Sequence, residues 1–266
     1  MRRRCILYSL TFPMFLTLSF LYPSLTVKPD SIQPPARLLD AFKSTRSTDH
    51  GGYYVQEGTY RIVGPHGNHE NIVLLTIDDG PSGKSTQKLL NVLDKHHAKA
   101  IWFVNGRQVA DKRKDGTFRI KPEKARLLRE IAKRGHIIGN HTWEHPNLRK
   151  VSPTRQQEEI RSTSMVIQDI TGSFPSYFRP PYGAKTDDSK RIATELGMRT
   201  INWSVGSLDW KRSVYKHPGG ICEQVMSTIH NGANILFHDR TWTANQMDEV
   251  LTALEKKHYR FVLPSY

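Results

Sequence analysis

The chain has 266 residues, 37% of them hydrophobic, and a formal net charge of +14 at pH 7. That length is enough for one full-sized hydrophobic core, with or without an additional tail. The excess of basic residues predicts an anionic neighbour, such as nucleic acid, membrane headgroups or an acidic cell-wall polymer. Because no zinc-finger, helix-turn-helix or P-loop pattern accompanies the charge, we expect no nucleic-acid partner.

The first 26 residues have the pattern of an export signal or a membrane anchor. Met1 is followed by three arginines, and residues 5–22 are strongly apolar and nearly free of charge. About eighteen such residues is long for the apolar part of a signal peptide and just short of an ordinary membrane span. No clear small-residue cleavage site follows, so both a cleaved signal peptide and a retained anchor stay open. Either alternative predicts that the rest of the chain lies outside the cell, secreted or membrane-anchored.

Residues 27–69 are predicted to be a linker or stalk. They contain several prolines and glycines among many polar residues, without sustained periodicity. Such a composition is typical of an extended connection rather than a packed domain. The folded domain is therefore expected at residues 70–266.

Strand and helix patterns alternate from residue 70 to the end of the chain. Short apolar runs predict strands at 72–77, 100–104, 136–139, 177–180, 199–205, 233–237 and 259–263. Amphipathic segments predict helices at 85–97, 122–135, 152–172, 186–197, 220–231 and 243–257, and the basic stretch 105–121 predicts an inserted polar loop. This alternation predicts an α/β fold, a deformed (β/α) barrel of about seven parallel strands. No glycine-rich dinucleotide fingerprint follows the first strand, so nothing favours an open Rossmann sheet.

Two adjacent carboxylates end the first predicted strand. Asp78 and Asp79 follow the apolar run and precede Gly80-Pro81, a strong turn signal. In parallel α/β folds, catalytic groups collect at the C-terminal ends of strands. Neighbouring strand residues point to opposite faces, which predicts different roles for the two acids. Taken alone, the pair would fit a solvated loop equally well.

A pair of histidines follows the third predicted strand. His141 and His145 are four residues apart and can share a metal ion. Pro146 biases His145 away from helical geometry, which predicts a single turn or a tight loop. The pair alone would fit surface histidines; together with Asp79 it supplies two imidazoles and one carboxylate, the usual donor set of a catalytic zinc.

Polar clusters also follow the fourth, fifth and sixth strands. In Arg179-Pro-Pro-Tyr182-Gly183 the prolines are expected to aim the arginine and to leave the tyrosine amide free to donate a hydrogen bond. Asp209 and Trp210 place an acid beside an aromatic ring of the kind that often stacks on sugars. His238 ends the sixth strand, where an acid from elsewhere in the fold is expected to orient it.

Five short motifs thus occur in order, namely TIDDG at 76–80, HTWEH at 141–145, RPPYG at 179–183, SLDW at 207–210 and LFH at 236–238. In this ordered set the chain resembles the polysaccharide deacetylases of the NodB-homology group, carbohydrate esterase family 4. The resemblance covers about residue 70 to the end and does not extend to the leader or linker. Two positions depart from the family pattern: Ile77 stands where phenylalanine is frequent, and Gly206 where aspartate is frequent.

The resemblance implies a divalent metal, most commonly zinc, held by Asp79, His141 and His145. It also implies that Asp78 is the general base that activates the attacking water. Arg179 then fixes the charge and orientation of that base.

The same resemblance implies the remaining catalytic and substrate-binding groups. His238 matches the general acid that protonates the leaving amine, and Asp209 matches the acid that tunes it. The backbone amide of Tyr182 would help to hold the oxyanion. Trp210 and Leu236 would line the groove and the acetyl pocket.

The function implied is an exported, metal-dependent deacetylase acting on an N-acetylhexosamine polymer. Export and basic charge favour peptidoglycan in the cell wall, with chitin-type oligosaccharides next. One alternative is a non-catalytic wall-binding module on the same fold, which would need neither base, acid nor metal ligands. Another is a glycosidase, which needs two carboxylates roughly 5–10 Å apart astride the scissile bond. We expect a monomer, attached to the membrane if the leader is retained.

Overall fold

The computed structural model describes residues 52–67 and 70–265. Its strands are β1 Tyr54–Val55, β2 Ile62–Val63, β3 Ile72–Gly80, β4 Ala100–Val104, β5 Ala110–Lys112, β6 Phe118–Ile120, β7 Ile137–Asn140, β8 Tyr177–Phe178, β9 Arg199–Thr200, β10 Val205–Gly206, β11 Ala233–His238 and β12 Arg260–Phe261. Its α-helices are α1 Lys84–Lys95, α2 Gly106–Val109, α3 Pro122–Lys133, α4 Pro153–Thr171, α5 Asp187–Glu195, α6 Arg212–Tyr215, α7 Gly220–Thr228 and α8 Thr241–Lys256. Short 3-10 turns occur at Leu148–Lys150 and Pro181–Gly183.

Seven strands form one continuous parallel sheet in the order β10-β11-β3-β4-β7-β8-β9. Strand β12 adds a short parallel pairing to the start of β3. Every residue of β3 is buried, because the barrel interior covers one of its faces and helices cover the other. The predicted α/β fold with a deformed parallel barrel is confirmed.

The two ends of this sheet are joined by one short stretch of chain. Strands β9 and β10 are at opposite ends of the sheet order, yet only residues 201–204 separate them. The amide of Ile201 donates to the carbonyl of Phe178, whereas that of Ser204 donates to the carbonyl of Asn234. The sheet therefore curves enough for a four-residue connection to join its two edge strands. The sequence predicted a single strand at 199–205; the structure has two, because the pairing partner changes midway.

Alternation along β3 divides its side chains between two environments. Val73, Leu75 and Ile77 pack among the apolar side chains of the surrounding helices. Ile72 and Leu74 pack with residues of the neighbouring strands inside the barrel. Continuing this period of two directs Thr76 and Asp78 into the interior at the C-terminal end of the barrel.

A hairpin of β1 and β2 packs against the barrel ahead of the first sheet strand. The two strands pair antiparallel, and Ile62, Val55 and Val63 are buried. The amide of Ile62 donates to the carbonyl of Gly232 over 2.8 Å. These residues lie in the segment that the sequence assigns to a linker, so packed structure begins before residue 70. The predicted leader and residues 27–51 lie outside the described residues. None of the helices described is both long and apolar enough to cross a bilayer.

The predicted polar loop at 105–121 contains regular structure. Helix α2 is followed by an antiparallel hairpin of β5 and β6. Phe118 stacks on Trp143 with ring centroids 5.1 Å apart. Gly106 has no side chain where this indole packs, since an added Cβ would lie 2.2 Å from a ring carbon. The few apolar residues of the segment thus suffice to fix it against the HTWEH motif.

Candidate active site

The C-terminal ends of the sheet strands bring the predicted site residues to one end of the barrel. His238 on β11 is in register with Asp78 on β3. The turns after β7, β8 and β10 add the HTWEH, RPPYG and SLDW motifs at the same end. Residues distant in sequence meet there because all these strands run parallel.

A bulge separates the two aspartates. The register between β3 and β4 shifts between Asp78 and Gly80, and Asp79 has a φ of 70°. The side chain of Asp78 stays in the barrel interior, where Nη1 of Arg179 is 2.8 Å from its Oδ1. Oδ1 of Asp79 instead lies 3.9 Å from Nε2 of His141 and 3.7 Å from Nε2 of His145. The two acids therefore have different partners, although Oδ2 of Asp78 also lies 3.5 Å from Nε2 of His141.

Asp79, His141 and His145 form a cluster that can hold a metal ion. One ligand atom of each lies within 4.8 Å of those of the others. Nδ1 of His141 is 2.7 Å from the carbonyl oxygen of Arg179. Because a carbonyl only accepts, the proton sits on Nδ1 and Nε2 is left as the ligand atom.

The charge states of this cluster also suit a cation. Burial, assisted by nearby His141, lowers the pKa of His145 to about 4, so its imidazole is neutral at physiological pH. Burial would raise the pKa of Asp79, but His141, His238, His145 and Arg240 together hold it below its usual value. Two imidazoles and one carboxylate are a donor set that fits a divalent metal ion.

Arg179 is fully buried and connects several parts of the barrel interior. Besides Asp78, its guanidinium donates to the hydroxyl of Thr76 over 2.8 Å and to the carbonyl of Asn202 over 2.7 Å. It also lies 4.3 Å from the ring centre of Phe103. Burial lowers its pKa, and the carboxylate of Asp78 opposes that shift. Arg179 thus holds Oδ1 of Asp78 from inside the barrel, and Oδ2 of Asp78 faces His141.

His238 is held by Asp209 on the other side of the site. Nδ1 of His238 lies 2.7 Å from Oδ1 of Asp209, and its backbone amide donates to Oδ2 over 2.7 Å. The hydroxyl of Thr243 also donates to Oδ2. Burial would lower the pKa of His238, but the hydrogen bond and charge of Asp209, with Asp78 and Asp79, raise it above its ordinary value. With Nδ1 bound to the carboxylate, Nε2 is the nitrogen available for proton transfer.

The three predicted substrate-binding residues border the same site. Tyr182 is 68% exposed, and the centre of its ring lies 4.7 Å from that of His145. Trp210 is 45% exposed, and its ring contacts His238 edge-to-face at 5.3 Å. Leu236 is buried two residues before His238, on the same face of β11.

Two residues at the site carry no motif in the sequence. Nη2 of Arg240 is 2.7 Å from Oδ2 of Asp79. Glu159, on α4, accepts hydrogen bonds from two backbone amides of the HTWEH turn. Helical periodicity places Glu159 near the buried face with Ile160 and Thr163, but an acid at such a position has no distinctive sequence signal.

Comparison with known proteins agrees with this geometry. The sequence pattern of the family described as polysaccharide deacetylase matches residues 66–201. Peptidoglycan-N-acetylglucosamine deacetylase PgdA of Listeria monocytogenes is 36% identical over 191 residues, covering 71% of this chain and 37% of its own length. A peptidoglycan-N-acetylglucosamine deacetylase of Bacillus cereus is 33% identical over 218 residues, 80% of this chain and 73% of its own.

Among solved structures, a carbohydrate esterase family 4 pseudoenzyme of Bacillus anthracis superposes with a TM-score of 0.63. It is 29% identical, and the match covers 73% of this chain and 64% of that one. The matched region therefore spans little more than a third of the Listeria relative and just under two thirds of the Bacillus anthracis protein. With the family pattern, the relatives and the fold in agreement, this chain is a member of the polysaccharide deacetylase family, the carbohydrate esterase family 4 hydrolases that act on carbon–nitrogen bonds of acetylated glycans.

Proposed function

We propose that this chain is an exported, metal-dependent deacetylase that hydrolyses the N-acetyl groups of an N-acetylhexosamine polymer, with peptidoglycan as the favoured substrate. The observation that carries the proposal is the cluster of possible metal ligands formed by Asp79, His141 and His145. The buried carboxylate of Asp78 lies on one side of this cluster, and His238, oriented by Asp209, lies on the other. The names of the two peptidoglycan deacetylase relatives support the choice of glycan.

Asp79, His141 and His145 would hold the metal, and zinc is the ion that their two imidazoles and one carboxylate suit best. A zinc ion at this position would polarise the acetyl carbonyl and lower the pKa of water to about 7. His141 is kept in ligating orientation by its Nδ1 hydrogen bond to the Arg179 carbonyl. Oδ2 of Asp79 stays with Arg240, so Oδ1 is the atom that faces the histidines.

Asp78 is assigned the role of general base. Its Oδ1 is occupied by Arg179, and its Oδ2 lies 3.5 Å from Nε2 of His141, next to the donor atoms. Oδ2 can therefore accept a proton from a water molecule that attacks the acetyl carbonyl. A base in this position typically contributes on the order of 10²–10⁴ in rate.

His238 is assigned the role of general acid. When the carbon–nitrogen bond breaks, the amine nitrogen of the sugar needs a proton, and Nε2 of His238 supplies it. Asp209 keeps the imidazole oriented and stabilises its charged form. The amide of Tyr182 would donate to the oxyanion, while Trp210 and Leu236 would line the groove and the acetyl pocket.

The leader is proposed to export the chain and, if uncleaved, to anchor it in the membrane. The support is the basic start followed by the apolar stretch at residues 5–22. Fractionation of cells producing the full-length chain should recover it from membrane or medium. Recovery from the cytoplasm would contradict this part of the proposal.

A non-catalytic glycan-binding module is the second candidate. The similarity of this chain to a family 4 pseudoenzyme supports considering it. To separate the candidates, the zinc-loaded protein is incubated with purified peptidoglycan and with chitin oligomers. Released acetate and new reducing ends are then measured in parallel. We expect acetate without reducing ends, more from peptidoglycan, and loss of release after chelation. Binding without acetate would support the module, reducing ends without acetate would support a glycosidase, and full activity after exhaustive chelation would exclude the metal role.

A further inference from the structure

The turn that joins His141 to His145 is built around a buried acid from another part of the chain. Oε2 of Glu159 accepts hydrogen bonds from the backbone amides of Trp143, over 2.8 Å, and Glu144, over 2.7 Å. These are the residues midway between the two histidines. Glu159 lies on α4 and is fully buried.

The conformation of this turn requires such support. Thr142 and His145 have φ values of 66° and 62°, a region that residues with side chains rarely adopt. Residues hold such backbone conformations only where the surrounding structure fixes them. The amide of Thr142 donates to Oδ1 of Asn140, which covers the start of the turn. Without Glu159, the buried amide of Trp143 and the partly buried amide of Glu144 would both lose this partner.

A cation balances the buried carboxylate from the outer side. Nη2 of Arg155, one helical turn earlier on α4, lies 2.6 Å from Oε1 of Glu159 as an ion pair. The Arg155 side chain is 41% exposed, so it reaches the acid from solvent. One oxygen of Glu159 therefore faces Arg155, while the other faces only the turn. This division suits an acid that holds a loop rather than one that takes part in a surface ion pair.

We propose that Glu159 is a positioning residue that holds the HTWEH turn in the shape in which His141 and His145 converge, and thereby sets the affinity for the divalent metal. The proposal rests on the proposed function, because it assumes that these histidines bind the ion. Groups that orient metal ligands typically change metal affinity about 10–100-fold when removed.

Two substitutions test the proposal against a matched control. Glu159→Leu introduces a side chain of similar size that cannot accept a hydrogen bond. Glu159→Gln keeps one oxygen that can accept from the two amides, but its NH₂ group then faces the guanidinium of Arg155. The control is Glu158→Gln, since the Glu158 side chain is 47% exposed and pairs with Lys112 and Arg155. Titration with Zn²⁺ alone should show about 10–100-fold weaker binding for Glu159→Leu. The Zn²⁺ affinity of Glu159→Gln should fall by a smaller factor, and that of Glu158→Gln should equal the wild-type affinity.

Thermal unfolding without metal separates positioning from general stability. If folded Glu159→Gln and Glu159→Leu proteins bind Zn²⁺ with wild-type affinity and merely unfold at a lower temperature, the proposal is overturned.

Hydrogen exchange of the Trp143 and Glu144 amides gives a readout that needs no metal. We expect slow exchange in the wild type and in Glu158→Gln, and faster exchange in Glu159→Leu. Should the wild type bind no Zn²⁺, the proposed function fails, while unchanged protection of these amides in Glu159→Leu would refute the positioning role separately.

Discussion

The guanidinium of Arg179 holds the carboxylate of Asp78 at 2.8 Å inside the barrel, where their side chains are 0% and 3% exposed. The pair joins the end of β3 to the loop after β8 through the interior of the fold. Since Arg179 also binds Thr76 and the carbonyl of Asn202, its position is fixed from three sides. The proposed base is therefore oriented before any substrate arrives.

Removing the positive charge from this pair should destabilise the fold. Arg179→Met leaves a buried carboxylate without its partner, which typically costs about 3–5 kcal/mol. The matched change Arg240→Met removes a guanidinium that pairs with Asp79 but is 43% exposed, so we expect a loss of roughly 1 kcal/mol or less. Urea unfolding of the two variants provides the comparison. Similar small losses for both would argue that the Arg179–Asp78 pair is not a structural element.

The pH dependence of activity should follow the pairing of His238 with Asp209. The raised pKa of His238 keeps the proposed acid protonated, and activity is lost as pH rises through that pKa. Asp209→Asn removes the negative charge that raises the pKa of His238 and leaves at most a neutral acceptor for Nδ1, whereas the effect of burial, which lowers the pKa, remains. The basic limb of the kcat–pH profile should therefore move to lower pH. The control is Asp111→Asn, which changes an exposed ion pair with Arg119. If the basic limb lies at the same pH in the wild type and both variants, His238 is not the general acid.

The hairpin of β1 and β2 should be part of the stable domain. Deleting residues 1–51 leaves the hairpin in place and should keep the thermal unfolding temperature and activity. Deleting residues 1–69 removes the buried side chains of Val55, Ile62 and Val63, each worth roughly 1.5–3 kcal/mol. The unfolding temperature should then fall by about 10 °C or more. Equal temperatures for the two truncated proteins would show that the hairpin contributes nothing to stability.

Trp210 should matter for substrate binding and little for folding. Its ring is partly exposed beside His238, as expected of a platform for a sugar ring. Trp210→Ala should raise KM for oligosaccharides several-fold with a smaller change in kcat, and Trp210→Phe should recover part of the loss. Unfolding temperatures should stay close to that of the wild type. A change confined to stability would show that the indole serves packing alone.

Much of the site could be predicted because its residues occupy strand ends. The run before Asp78 marks a buried strand, and parallel strands collect their C-terminal residues at one end of the fold. His141 and His145 are joined by a tight, non-helical turn, as expected from the effect of Pro146 on the conformation of His145.

The features that could not be predicted depend on contacts between distant segments. Arg240 reaches Asp79 across 161 positions of sequence, and no local pattern records that contact. Residues 199–205 look like one strand because local propensity does not show which neighbour each half pairs with. The sequence does not indicate the hairpin at 54–63, because two-residue strands are too short to show an alternating hydrophobic pattern.

Metal content and turnover, measured side by side in two variants, test whether the adjacent aspartates have different roles. Asp78→Asn should retain the ion, because Asp78 is not among the proposed ligands, yet its turnover should collapse because an amide cannot accept the proton. Asp79→Asn should bind the ion weakly and regain part of its activity at high Zn²⁺ concentration. Loss of the ion from Asp78→Asn with retention in Asp79→Asn would reverse the assignment, and mild, equal effects would place the chemistry elsewhere.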